Sequence, residues 1–145
     1  IPMLPESLSN DLCSLKPGQD RAAFVMTIDI NPDGEIVDKS YTLALIRSRA
    51  RLTYDQVQDA IDNKCEDPET LELYNKYISK AVDAYQILLA ERHNRGALDL
   101  NVKEQRIDVT QGNGFSFRLE GSNESHGLIE ESMILANRAA IATLL

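Results

Sequence analysis

Residues 22–48 read AAFVMTIDINPDGEIVDKSYTLALIRS, two alternating runs on either side of a tight turn. In the first run Phe24, Met26, Ile28 and Ile30 fall on one side, and Val25, Thr27 and Asp29 on the other. That period of two belongs to a half-buried strand. The NPDG that follows turns the chain, with Pro32 presetting φ and Gly34 admitting a positive one. Residues 35–48 then return as the partner strand. The reading is a long antiparallel hairpin.

The segments that flank it are helical. TYDQVQDAIDN (53–63) opens with a capping box, Thr53 as N-cap and Gln56 three residues on. Tyr54 thereby takes the first helical position, on the rim where unpaired backbone N–H groups point outward. Residues 67–96 predict a long amphipathic helix, with Asp67 as cap, Pro68 at N1 and Gly96 as stop. Leu71, Tyr74, Ile78, Ala81, Val82, Tyr85, Leu88 and Leu89 form its apolar stripe. Residues 105–120 read as a second hairpin around Gly112, Asn113 and Gly114, and residues 125–145 as a terminal helix. Near the start, two prolines stiffen an extended stretch before a short helix carrying Leu8, Leu12 and Leu15. Antiparallel hairpins packed with long helices give an α+β class in a single domain over 1–145, not an alternating βαβ fold.

Composition narrows the function. A net charge of −8 argues against non-specific adhesion to nucleic acid, which needs a basic surface. No apolar run reaches the roughly 18 residues of a membrane span, and the N-terminal residues have no signal-peptide pattern. Cys13 and Cys65 form neither a disulfide framework nor a zinc pattern, so reduced thiols and a cytoplasmic setting are expected. The chain starts at Ile1 and stops at AIATLL inside an apolar helix without a terminating residue. A piece of a longer protein is the expectation.

Three constellations stand out. Arg47, Arg49 and Arg51 alternate and share a face if the strand continues, either as phosphate contacts or as a charged strand end in water. His126 and Glu130 at i and i+4 are two metal ligands without a third. Glu130 and Glu131 stand together in an apolar helix, where an ionised carboxylate is costly to bury. Glu130 shares a stripe with Ile134, Asn137 and Ile141, whereas Glu131 lies nearer Leu135 and Arg138. Glu130 is therefore the expected buried or cleft carboxylate, with Arg138 offsetting Glu131.

Four stretches in order, residues 1–21, SRARLTYDQV (48–57), ERHNRGALDL (91–100) and SHGLIEESMILAN (125–137), resemble the catalytic RNB domain of ribonucleases II and R. The resemblance spans nearly the whole chain, as the central part of that domain. It implies a processive, hydrolytic, Mg²⁺-dependent 3′→5′ exoribonuclease that releases nucleoside monophosphates from single-stranded RNA. Tyr54 would lie beside the last nucleotide. Glu130 would contact the terminal ribose, whose 2′-OH distinguishes RNA from DNA. Leu100 occupies the place of an aromatic that clamps bases in the family, and Ser122 one where many relatives have arginine. Arg49 and Arg51 remain the phosphate candidates. The aspartates that hold the metal, and a catalytic arginine, belong to segments upstream and downstream of this one. Flanking cold-shock and S1 modules would supply the basic surface. The segment alone is expected to be inactive. The alternative is a catalytically incompetent module that binds RNA or protein.

Overall fold

The computed structural model describes residues 3–97, 104–110, 114–120 and 123–144. The expected hairpin is there: β1 (Asp20–Ile30) pairs antiparallel with β2 (Ile36–Arg47), from Asp20 opposite Arg47 to Asp29 opposite Asp38, with a shift in register beyond Asp29. The Asn31 side chain closes the turn. Its Oδ1 accepts from the backbone N–H groups of Asp33 and Glu35 at 3.0 and 2.9 Å. A second antiparallel hairpin, β3 (Glu104–Thr110) with β4 (Gly114–Glu120), matches the second predicted one.

Helix α1 (Tyr54–Ile61) starts at the predicted capping box. The Gln56 N–H donates to Thr53 Oγ1 at 3.3 Å, and the Thr53 N–H donates to Gln56 Oε1 at 2.8 Å. The long helix predicted over 67–96 is a rod in three parts: α2 (Pro68–Leu73), a wide π-helical turn (Tyr74–Ile78) and α3 (Ser79–Asn94). Periodicity alone does not reveal such a turn, because the apolar residues on both sides of it are spaced in the sequence as one uninterrupted helix would need. The short helix near the start is also a π-helical turn, Leu8–Leu12. Leu12 and Leu15 are exposed, so this stretch does not bury the face its leucines suggest.

Helix α4 (Glu124–Leu144) is the spine. α1 and α3 both pack on it, and it touches β1. Tyr85 and Gln86 of α3 meet the start of α4, and Arg92 meets Glu130 and Glu131 further along, so the two helices run the same way. Small residues set this approach. Gly127 and Ala139 are both buried, on the broad inner face of α4. A Cβ at Gly127 would lie 2.6 Å from the Tyr85 hydroxyl, closer than atoms can pack.

The hairpin is tied to this helical layer at two points. At its tip Gly34 is buried with φ +82°, and a Cβ there would meet Glu91 Cβ at 2.8 Å. Further along, the Lys39 ammonium donates to the Ala139 carbonyl at 3.0 Å, and the Tyr41 hydroxyl bonds Thr143 Oγ1 at 2.7 Å. A two-stranded sheet is marginal in water by itself. These contacts give it a partner on one side, while Phe24, Leu43 and Leu45 stay exposed. In total the chain exposes 11283 Å². A compact monomer of 16.2 kDa would expose about 7,500 Å².

Gly127→Ala tests the close approach. The added methyl must displace Tyr85 or separate α3 from α4, and overpacking of this kind costs about 1–3 kcal/mol. Urea unfolding should show that loss. An unchanged midpoint would mean that the helices do not depend on this contact.

Candidate functional site

The capping box fixes the backbone at the start of α1 and leaves Tyr54, its first residue, 45% exposed. The Tyr54 ring lies against the His126 imidazole, with centroids 4.0 Å apart and planes 17° apart. His126 belongs to the first turn of α4, where its N–H donates to the Asn123 carbonyl at 3.0 Å. Its neighbour Ser125 is buried, and the Ser125 N–H donates to Gln58 Oε1 of α1 at 3.1 Å. A polar bond and a ring contact thus join the two helix starts. Ser125 Oγ and His126 Nδ1 are buried with no hydrogen-bond partner among the described residues.

One turn further along α4, Arg92 reaches across from α3 to both glutamates, at 3.0 Å from Glu130 and 2.6 Å from Glu131. Hydrogen bonds that the Arg92 guanidinium donates to Glu131 first, and then to Glu130, hold it above its ordinary pKa. The two carboxylates differ sharply in exposure. The Glu131 side chain is 4% exposed and that of Glu130 is 53% exposed.

The sequence reading has Glu130 as the buried or cleft carboxylate; of these two the structure excludes burial, which falls to Glu131. The rotation of α4 is set by Gly127 and Ala139, the residues that let α3 and the hairpin come close, and Glu131 lies on the same inner face. Ile141, on the stripe expected to be buried, is 57% exposed. Arg138 also departs from expectation. It turns to Glu91 at 3.3 Å, and Arg92 is the partner of Glu131. The signal was present as Gly127, Glu131, Leu135 and Ala139 at successive i, i+4 positions. Bulky apolar residues outweighed it.

The arginine series breaks up as well. β2 ends at Arg47, which pairs with Asp20 across the hairpin, so the three arginines do not share one strand face. Arg49 and Arg51 are exposed and make no ion pair among the described residues. Both line a cleft of about 350 Å³. Arg51 also borders an open groove of about 480 Å³, walled by Tyr54, Val57, Ile78, Ser125 and Ile129. Glu130 directly follows the last of these, although it is not itself part of the wall. Leu100 and Ser122 lie outside the described residues.

Among the described residues no three His, Cys, Asp or Glu side chains gather to hold a metal ion. These residues do not fit a Mg²⁺ site. No helix among them is long and apolar enough to cross a membrane.

The geometry therefore joins an exposed tyrosine, a stacked imidazole and an exposed carboxylate along one edge of α4. The RNB domain model matches residues 1–144. The chain belongs to the RNB family. Similar RNB proteins include ribonuclease R of Vibrio cholerae, 36% identical over 141 residues, and ribonuclease R of Escherichia coli, 34% identical over 142. Each match covers 97% of this chain but only 17% of the relative's length. A solved structure, the apo form of Mycoplasma genitalium RNase R, superposes with a TM-score of 0.86 at 34% identity, covering 99% of this chain and 22% of that one. The same enzyme has been solved in complex with ribose-methylated single-stranded RNA and with double-stranded RNA, again at a TM-score of 0.86.

Arg92→Ala tests the ionic link. It leaves Glu131 buried without a counter-charge, and losses of about 3–5 kcal/mol follow such a change. Adding Glu131→Gln to the same protein should recover part of the loss in thermal or urea unfolding. Equal stability of both variants and the parent sequence would show that the pair is dispensable.

Proposed function

We propose that this chain forms the wall that grips the 3′ end of single-stranded RNA in a hydrolytic, processive 3′→5′ exoribonuclease releasing nucleoside monophosphates. Membership of the RNB family and the ribonuclease R relatives support the enzyme class. The carrying observation is the juxtaposition of Tyr54 and Glu130. Tyr54 rests on His126, and Glu130 stands at i+4 from His126 on the same helix face.

In this reading Tyr54 lies beside the last nucleotide. One face of its ring is taken by His126, so its exposure belongs to the other face and the edge, where a base or ribose can rest. Glu130 accepts a hydrogen bond from the terminal 2′-OH. Arg92 holds its Oε1, and Oε2 makes no hydrogen bond among the described residues. An ionised carboxylate tethered by one oxygen, with the other open to water, suits that task. Arg49 and Arg51 are the phosphate contacts, and Leu100 presses on a base without offering a π-face. Mg²⁺ and its aspartates, the catalytic arginine, and cold-shock and S1 modules belong to other parts of a longer cytoplasmic protein. The second reading, a catalytically incompetent module that holds RNA or protein, draws on Leu100 in place of an aromatic clamp.

A hydrogen bond to a charged group contributes about 1.5–3 kcal/mol, or roughly 10- to 100-fold. Glu130→Ala in the full-length enzyme should lower its preference for RNA over DNA oligonucleotides by about that factor. Equal rates on both substrates, before and after the change, would remove the ribose role. The isolated 145-residue chain, incubated with labelled oligoadenylate and Mg²⁺, should leave the 3′ end intact, because hydrolysis assisted by paired metals needs carboxylates to hold them. Shortening by the isolated chain would refute that expectation. Failure of the full-length protein to shorten the same substrate would favour the incompetent module.

A further inference from the structure

We propose that His126 is a positioning residue for RNA binding: its imidazole is the platform that orients the Tyr54 ring and sets that ring's distance from Glu130. The inference rests on the reading above, in which those two residues touch the RNA, and adds a residue that need not touch it.

Four observations carry it. The capping box fixes the Tyr54 backbone, but the Tyr54 side chain has no hydrogen bond among the described residues. Among the described residues its ring contact is the stack on His126, nearly parallel at 4.0 Å. The direction of the ring is therefore set by a surface rather than by a polar bond, and a flat surface specifies the plane of its neighbour. Second, His126 is not spent on another role that the structure displays. Its Nδ1 is buried without a partner among the described residues, and no metal-binding group of three ligands includes it. Third, His126 is itself held firmly, in the first turn of α4 beside Ser125, whose N–H is tied to Gln58 of α1. Fourth, Glu130 lies one turn along the same face, and Arg92 steadies it from α3. Tyr54 and Glu130 come from separate elements, and His126 links the first to the helix that carries the second.

Stacked aromatic pairs contribute enough to change binding by about 2- to 10-fold. In the full-length enzyme, His126→Ala should raise KM for oligoadenylate by that factor with a smaller change in kcat. His126→Phe restores a flat ring and should recover KM, whereas His126→Leu should not. In a Tyr54→Ala background, His126→Ala should have no further effect. Equal behaviour of the Phe and Leu variants, or the same loss from His126→Ala with and without Tyr54, overturns the proposal. If His126→Ala does not fold, the Phe and Leu comparison decides by itself. A raised KM in Tyr54→Ala beside an inert His126→Ala removes this inference alone. An unaltered KM in Tyr54→Ala removes the site reading and the inference with it.

Discussion

The contact on which most of the structure turns is the reach of Arg92 to Glu131. A carboxylate 4% exposed is tolerable only with a partner, and the guanidinium at 2.6 Å supplies one. That pair and the small residues of α4 require the same rotation against α3. These small residues face inward, Gly127 beneath Tyr85 and Ala139 beneath Lys39 and Tyr41. The same rotation turns Glu130 outward and places His126 under Tyr54. One buried charge thus orients an exposed one. The adjacent glutamates share Arg92 but differ in setting, the inner one buried and the outer one exposed.

What could be read from the residues alone was what local chemistry dictates. The first hairpin is a period of two around Pro32 and Gly34, and it stands at the predicted place. The start of α1 is a capping box, a signal confined to four residues, and it puts Tyr54 at the first helical position. The misreadings concern matters that only distant segments decide. Which glutamate is buried depends on how closely α3 approaches, and that depends on Tyr85 meeting a glycine 42 residues later. The fate of Arg47 depends on Asp20 across the hairpin. In the sequence His126 stands out only as half of a metal pair with Glu130, because its stacking partner lies 72 residues earlier in the chain.

The acidity of the chain fits this division of labour. A net charge of −8 repels a phosphate backbone at long range, and the exposed Arg49 and Arg51 offer only a local exception. In the proposed function, recognition at such a surface rests on shape, stacking and hydrogen bonds to a sugar. The exposed apolar residues of the hairpin, Phe24, Leu43 and Leu45, stand on a different element from Tyr54 and Glu130. The chain spans 17% of the Vibrio cholerae and Escherichia coli ribonuclease R chains, and its exposed area is about half again that of a compact monomer.

The wide turn at Tyr74–Ile78 has a geometric effect on its neighbours. Each residue of an α-helix advances the side chains by about 100° around the axis. A turn that accommodates one extra residue therefore winds the second half of the rod back relative to the first by up to about that angle. A uniform α-helix would have aimed Leu71 and Tyr74 along the same line as Val82 and Tyr85. With the wide turn between them, α2 lies against α1 while α3 lies against α4. A single continuous rod thereby serves two partners in different directions, working as a swivel without a break in the chain.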